Sequence, residues 1–398
     1  MEAVAPAINE ASAHPARVLL VCPEARGGLA QHVITLLADL CRSNYAVGVA
    51  CDPEGPVARA AGDRNLPVCG IAISPRGGPP RAALAAVQVA RAGSDLRAQI
   101  VHTHSFAAGI VGALAMPLVP TGRMVATVHN YPPDADGMQP HSRQHRWAMA
   151  RTCRRASRII TVSEALRRDL IAVRPEVADK CVTIPNGVDT HASPARQPDE
   201  TRKDLALPVD APLVGMLARL APQKGIADFI RAARTAADGF PSAHFVLAGE
   251  GPLKEEALAL RRELALQDRL HLLGEVDCPR DLTAALDMLV VASTSEGSSL
   301  AAMEAMSLGK PVVATSVGGV PEVVADAETG ILVEPGDPGA LASAIEELLA
   351  SPDRARDLGE RGRRRAAAHF DVRQILQRTK VVYADLLREE IETGGDRP

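Results

Sequence analysis

The stretch "MLVVASTSEGSSLAAMEAMSLGKPVVAT", Met288 to Thr315, decides the fold. It opens as a short continuous apolar run and passes through a small polar loop. It then takes up helical spacing, stops at Gly309-Lys310-Pro311 and returns to a second apolar run. Strand, helix and strand joined by short turns form a βαβ unit. Its strands lie parallel in a sheet that helices cover on both faces. The stretch also carries two acids eight residues apart, Glu296 in the loop and Glu304 inside the helix.

The same alternation continues outward on both sides. Upstream lie the strands "PLVGMLARL", "AHFVLAGEG" and "RLHLLGEV", with the helices "KGIADFIRAARTAADG" and "PLKEEALALRRELALQ" between them. Downstream come the strand "TGILVEP" and the helix "PGALASAIEELLAS". The first half repeats the pattern, from "ARVLLVCPEARGG" through "QIVHTHS", "RMVATVHNY" and "ASRIITVS" to "KCVTIPNGVD". The fold class is therefore α/β, with two mostly parallel sheets. Residues 1–16 read as a disordered lead, 17–195 as a first Rossmann-like domain and 196–212, rich in Pro and charge, as a linker. Residues 213–370 read as a second such domain, 371–390 as a terminal helix and 391–398 as a disordered tail. Ligands of such sheets bind beyond the carboxyl ends of the strands, and two such domains facing each other make a deep cleft.

The chain has 398 residues, 46% of them hydrophobic, long enough for two ordinary domains. Its 44 basic and 48 acidic residues nearly balance, which removes the electrostatic reason to expect nucleic acid. Two local basic runs stand out, "RTCRRASR" (Arg151 to Arg158) and "ERGRRRAAAHF"; such runs are ordinarily solvated helix faces, and the special reading is contact with anionic lipid or a phosphate-bearing substrate. Seven irregularly spaced Cys without a CxxC pair fit free thiols in a reducing, cytoplasmic setting. No run of 18 apolar residues appears, so no spanning helix is expected.

The polar strand ends are the candidate ligand contacts. In the first half they are Gly27-Gly28, His102 with His104, His129-Asn130, Ser163 and the run Asn186 to Asp189. Gly27-Gly28 leads into a helix whose first N–H groups suit an anion, though most such turns are only turns. It is not a G-x-G-x-x-G fingerprint, so a dinucleotide cofactor is not expected. His102 and His104 share a strand face, and with His129 they raise the question of a metal. No further ligand stands at close spacing, and none is expected. In the second half, Arg219 at a strand exit and Lys224 at a helix start would suit a diphosphate. Glu296 and Glu304 would accept hydrogen bonds from separated diols, with Gly297, Ser298, Ser299 and Leu300 supplying small side chains and N–H groups.

Taken together, these segments are recognisable. "EGSSLAAMEAM" resembles the E-x7-E motif of retaining glycosyltransferases of the two-domain GT-B fold. "GGLAQHV", "TVHN", "IITVSEAL", "VTIPNGVD", "VGMLARLAPQKG", "VLAGEGP", "LHLLGEV" and "GKPVVATSVGGVPEVV" resemble segments of glycosyltransferase family 4 in the same order, from about Arg17 to the terminal helices. The resemblance implies a metal-independent hexosyltransferase using a nucleotide-sugar co-substrate, a UDP-sugar favoured, and no cofactor. It implies donor contacts from Gly27, Gly28, Arg219, Lys224, Gly251, Val276, Glu296, Gly297, Ser298, Ser299, Leu300 and Glu304. Val276 would lie by the base, Glu304 at the ribose and Glu296 at the transferred sugar. His129, Arg219, Lys224 and Glu296 would be catalytic, and Gly28, His104 and Asn130 would face a hydroxyl acceptor, lipid-linked or a small glycoside. The tail helices would cross back to the first domain. One departure is visible: where family members often have an aromatic residue after Glu-Gly, this chain has Ser298.

The chemistry expected is same-face transfer, with Arg219, Lys224 and helix N–H groups stabilising the charge that builds on the leaving diphosphate. Two other classes compete: a nucleotide-sugar epimerase or hydrolase of similar plan, and a non-catalytic nucleotide-sugar-binding subunit. Product analysis separates the first. The joint presence of His129, Arg219, Lys224, Glu296 and Glu304 argues against the second. Localisation is expected to be cytoplasmic, with peripheral contact at the inner face of the membrane, and the oligomeric state stays open.

Overall fold

A computed structural model describes residues 14–23, 27–71, 73, 78–120, 122–132, 135–136 and 138–394. The chain divides into two compact units, residues 1–184 with 375–398, and residues 185–374.

The first unit runs β1 (Ala16–Val21), α1 (Gly28–Arg42), β2 (Tyr45–Cys51), α2 (Pro56–Gly62), β3 (Val68–Gly70) and α3 (Gly78–Asp95). It continues with β4 (Ile100–His104), α4 (Phe106–Ala115), β5 (Arg123–Val128), the short pair β6 (Ala135–Asp136) and β7 (Gln139–Pro140), and α5 (Arg143–Arg155). β8 (Arg158–Thr161), α6 (Glu164–Val173) and β9 (Cys181–Thr183) complete its sheet. The strand order is β3-β2-β1-β4-β5-β8-β9, and every pairing in this sheet is parallel. The order reverses between β1 and β4, so the loops leaving those strands diverge there and open a crevice.

The second unit contains α7 (Pro198–Asp204), β10 (Leu213–Leu217), α8 (Ile226–Gly239), β11 (His244–Ala248), α9 (Lys254–Glu263) and β12 (Leu270–Gly274). Then follow α10 (Pro279–Ala285), β13 (Met288–Val291), α11 (Leu300–Ser307), β14 (Val312–Thr315), α12 (Val320–Val323) and β15 (Gly330–Val333). The helices α13 (Pro338–Ala350), α14 (Pro352–His369) and α15 (Val372–Gly394) end the chain. Here too the sheet is parallel, in the order β12-β11-β10-β13-β14-β15, with its reversal between β10 and β13. The quoted stretch is β13-α11-β14, and its strands are buried along their whole length, which is why they read as unbroken apolar runs.

Most of α15 belongs to the first unit. Tyr383, fully buried, places its hydroxyl 2.5 Å from His102 Nδ1. Lys380 reaches Asp39 at 2.9 Å, and Glu389 pairs with Arg158. Within the second unit, Val188 N donates to Phe370 O and Val372 N to Val188 O, each at 2.9 Å, tying the unit's entry to its exit.

Several expected boundaries move. Of the lead, residues 1–13 lie outside the described residues, and Ala16 is already in β1 and buried. The first unit's opening segment ends at Ile184, not 195, and residues 185–212 belong to the second unit. The expected linker 196–212 contains α7, closed by a Gln197/Glu200 capping box. Buried Arg202 anchors it, donating to the carbonyls of Ala285, Val209 and Ala211 and to Asp287 at 2.8–3.0 Å. A polar stretch reads as a linker unless its charges find such partners. The helix expected over 371–390 runs on to Gly394, leaving 395–398 outside the described residues. Arg158 leaves the expected basic patch, since it sits in β8 paired to Glu389. All seven thiols are free, and among the described residues no helix is long and apolar enough to cross a membrane.

Candidate active site

In the second unit, the strands flanking the reversal carry the acid and the cation. β10 exits through Ala218 and Arg219 into a 3-10 turn, Pro222–Lys224, and Gly225 then opens α8. Gly225 has φ +65, and a Cβ there would lie 1.8 Å from the Ala292 carbonyl oxygen, so only glycine lets this loop lie against the end of β13. Thr294 N donates to Gln223 O at 2.9 Å and stitches the two loops together. Lys224 therefore meets Glu296 in an ion pair whose side chains are 22% and 11% exposed. Ser293 adds a hydroxyl donor to the same Glu296 oxygen at 3.1 Å.

From Glu296 the chain passes through Gly297 and Ser298 to Ser299, whose hydroxyl caps α11 by accepting from Ala302 N at 3.3 Å. Leu300 begins that helix. Asn186 Nδ2 donates to Ser298 O at 3.4 Å, while Asn186 Oδ1 and the Ser298 hydroxyl are buried without partners among the described residues. Buried polar atoms left unpaired in a loop of this kind are those a polar ligand satisfies. Glu304 lies on α11 with its carboxyl pushed above the ordinary range by burial, opposed by the charge of Arg280. Arg219 is exposed and has no ion-pair partner among the described residues.

The turn after β11 closes against the same loop. Leu220 N donates to Glu250 O at 2.9 Å, and a Cβ on Gly251 (φ +159) would lie 2.4 Å from Leu220 O. A cavity of 340 Å³ opens beside it, lined among others by Gly249, Glu250, Gly274 and Glu275. Val276, the next residue, is half-buried and packs on the unit's apolar cluster.

In the first unit, the end of β4 and the loop after β5 bring together His104 and His129. Gly27 has φ +58 and precedes Gly28, the first residue of α1. His104 Nδ1 stands 3.2 Å from His129 Nε2. His32, in the second turn of α1, joins them, its ring centroid 4.7 Å from that of His129 and 5.4 Å from that of His104. One ligand atom of each of the three lies within 4.8 Å of the others. This modifies the expectation of no metal-ligating cluster: the third histidine comes from a helix remote in sequence. His102 stands outside the cluster, both ring nitrogens engaged, with Tyr383 at 2.5 Å and Thr127 Oγ1 at 2.6 Å. Burial pushes His102 down to about 3, and burial with mutual repulsion holds His104 and His129 well below the ordinary range, so all are neutral at pH 7. Asn130 is half-buried, its Oδ1 accepting from Tyr131 N at 2.9 Å.

Ser293 and His32 escape a reading by strand ends. Ser293 sits only three residues before Glu296 but gains meaning once the loop folds back. His32 lies in the quoted "GGLAQHV", where helical spacing alone does not show that it faces β4 and β5.

Comparison with known proteins gives a consistent result. The family described as "Glycosyl transferases group 1" matches residues 197–365, and "Glycosyltransferase Family 4" matches residues 26–192. The chain is 30% identical to alpha-maltose-1-phosphate synthase of Mycolicibacterium smegmatis, covering 91% of this chain and 96% of that protein. It is 29% identical to D-inositol 3-phosphate glycosyltransferase of Corynebacterium glutamicum, covering 84% and 86%. Among solved structures, Anabaena HepE in complex with UDP-glucose superposes with TM-score 0.79 at 25% identity, covering 93% and 99%. WaaG, a glycosyltransferase involved in lipopolysaccharide biosynthesis, shares the fold with TM-score 0.73 at 15% identity, covering 91% and 98%.

Proposed function

Because this chain belongs to the group 1 glycosyl transferases, with family 4 as its amino-terminal half, and has the GT-B fold, we propose that it moves a hexosyl group from a UDP-sugar to a hydroxyl acceptor, with retained configuration and no metal in the transfer step. The observation that carries this reading is the Lys224–Glu296–Ser293 constellation at the reversal between β10 and β13. Lys224 and Glu296 neutralise each other. A donor separates their duties, with Lys224 and exposed Arg219 taking the diphosphate and Glu296 accepting hydroxyls of the transferred sugar. The N–H groups at the start of α11, beginning with Ser299 and Leu300, add to the stabilisation of the phosphate. Gly28 and Gly27, at the start of α1, offer a second such terminus.

In the reaction, the bond from the anomeric carbon to the diphosphate oxygen breaks and a bond from that carbon to the acceptor oxygen forms. The acceptor proton passes to the leaving diphosphate. Negative charge grows on the diphosphate as the bond breaks, and two cations already serve it there, which supports a metal-free step. Glu296 is engaged by Lys224 and Ser293, which favours a hydrogen-bonding role over that of a covalent nucleophile. Buried Glu304 is assigned to the ribose, the cavity before Val276 to the base, and neutral His129 to a sugar hydroxyl. UDP is favoured because a relative at 25% identity is solved with UDP-glucose. Two relatives are named for phosphate-bearing small molecules, which supports a small phosphorylated acceptor on the side of Gly28, His104 and Asn130.

The test is a screen of UDP-, GDP- and ADP-sugars in EDTA, reading nucleotide release and product by mass spectrometry, with Glu296→Gln alongside. Release of UDP that needs an acceptor, yields a product of retained configuration and is lost in the variant is the expected result. Release without acceptor would make the protein a hydrolase, and absence of binding to every donor would overturn the reading. A peripheral membrane contact is supported separately by α5, where Trp147 is 53% exposed among Arg143, Arg146, Arg154 and Arg155. Sedimentation with anionic liposomes should fall as salt rises, and salt-insensitive or absent binding would sink that idea.

A further inference from the structure

We propose that His32, His104 and His129 form a binding site for one divalent transition-metal ion of the zinc type. Three observations carry it, all within the first unit. The first is convergence: α1, β4 and the loop after β5 each contribute one imidazole, and one nitrogen of each lies within 4.8 Å of the others. The second is bite. Zinc–imidazole bonds of about 2.0–2.1 Å at tetrahedral angles put ligand nitrogens about 3.3 Å apart, and His104 Nδ1 and His129 Nε2 are 3.2 Å apart. The nitrogen of His32 needs to move by at most about 1.5 Å to complete the set, and the side chain is only half-buried.

The third is the state of the rings. His104 is wholly buried; its Nδ1 meets His129 Nε2, and its Nε2 has no partner among the described residues, so the ring is only half satisfied by the protein. His102, whose ring centroid lies 4.1 Å from that of His104, is excluded as a ligand because Tyr383 and Thr127 occupy both its nitrogens. It instead forms a fixed wall behind the site. Three imidazoles leave one tetrahedral position for water or an anion, and imidazole sets of this kind suit zinc over magnesium or calcium.

The transfer step proposed above uses no metal, so an ion here acts against it. It ties up His129, the residue assigned to a hydroxyl of the transferred sugar, and zinc becomes a reversible inhibitor. That consequence rests on the reading of His129 given above, whereas the affinity for metal does not.

The experiment is direct titration of the EDTA-stripped, dialysed full chain. Zn2+ is followed by calorimetry and Co2+ by its visible absorption, for the wild type and for His32→Ala, His129→Ala and His271→Ala. His271 is the control, since it pairs with His244 at 3.0 Å in the second unit and forms no three-residue cluster among the described residues. One equivalent should bind the wild type and His271→Ala with tetrahedral cobalt spectra. His32→Ala should weaken binding by more than about 100-fold, the upper end of what outer-shell changes cost, with an unaltered circular dichroism spectrum. No binding to the wild type, or equal affinity in a folded His32→Ala, would overturn the proposal. Stoichiometric zinc should also block turnover in the wild type but not in His32→Ala, with EDTA restoring it. Binding of one equivalent without inhibition would uphold the site and overturn the assignment of His129 to the sugar.

Discussion

The proposed transfer gives Lys224 and Glu296 two incompatible tasks, holding each other in an ion pair and holding different parts of a donor. A double-mutant cycle separates these. The side chains are 22% and 11% exposed, so the pair sits between surface and interior. At an effective dielectric of about 20, charges about 4 Å apart attract by about 4 kcal/mol before desolvation is counted. Breaking a fully buried pair costs about 3–5 kcal/mol, and partial exposure brings the figure here to about 2 kcal/mol. Among the described residues, Lys224→Met leaves the Glu296 carboxylate with only the Ser293 hydroxyl at 3.1 Å, and Glu296→Gln leaves Lys224 without its counter-ion. For a unit of this size, about 2 kcal/mol lowers the melting temperature by about 4–8 °C. The double variant Lys224→Met/Glu296→Gln strands no charge and should recover most of that loss. Turnover should behave oppositely. Each single change removes a separate transition-state contact worth about 3 kcal/mol, a loss of about 100-fold in kcat, and the double should be no better than either. Differential scanning calorimetry and initial rates with saturating donor measure both sides. Recovery of turnover in the double variant would refute the argument, because it would make the pair structural and nothing more.

Three further outcomes follow from the same structure. Burial raises the Glu304 carboxyl, so the folded state holds that proton more tightly and stability falls as pH rises through the window above the ordinary Glu value. Glu304→Gln should therefore melt higher than the wild type at pH 7 but not at pH 4, and should bind nucleotide about 10-fold more weakly; equal destabilisation at both pH values would contradict this. His102, His104 and His129 are all lowered by burial, His102 to about 3, so the unfolded chain takes up protons first as pH falls. The stability they permit is complete above about pH 6.5 and is lost below it by up to about 4 kcal/mol per pH unit if all three protonate together, and an acid melting curve flat to pH 4 would speak against the cluster. Gly225→Ala forces a Cβ onto the Ala292 carbonyl at φ +65, so a loss of at least about 3 kcal/mol is expected; a variant that melts within 2 °C of the wild type would show that the Lys224 loop does not lie against β13.

The parallel sheets were legible because their strands are buried on both faces and therefore unbroken in hydrophobicity. "MLVV", "VVAT" and "LLV" all fall in strands. The region 185–212 was not legible, because its meaning depends on Arg202. Alone, "PDETRKD" is a polar run. Only when the carbonyls of Ala285, Val209 and Ala211 turn toward the guanidinium does it become a docked helix. Charge within a sequence does not reveal whether its partners are water or backbone.

The site divides along the same physical line. Glu296, Lys224 and Ser299 could be singled out as candidates because each stands at a strand exit or helix start, where position in the chain implies position at the sheet's edge. Ser293 and His32 act through distance, one by the folding back of a loop and the other by the packing of α1 over β4 and β5. The histidines show the limit most clearly. By spacing, His102 and His104 are the natural pair, since alternate residues of β4 share a face. Yet His102 is satisfied by Tyr383, 281 residues away, and His104 turns to His129 and His32. Period two fixes which face a side chain takes. Which neighbours meet it there is set by the strand order and the returning helix α15, so the same two residues divide into one bound to that helix and one that meets two other imidazoles.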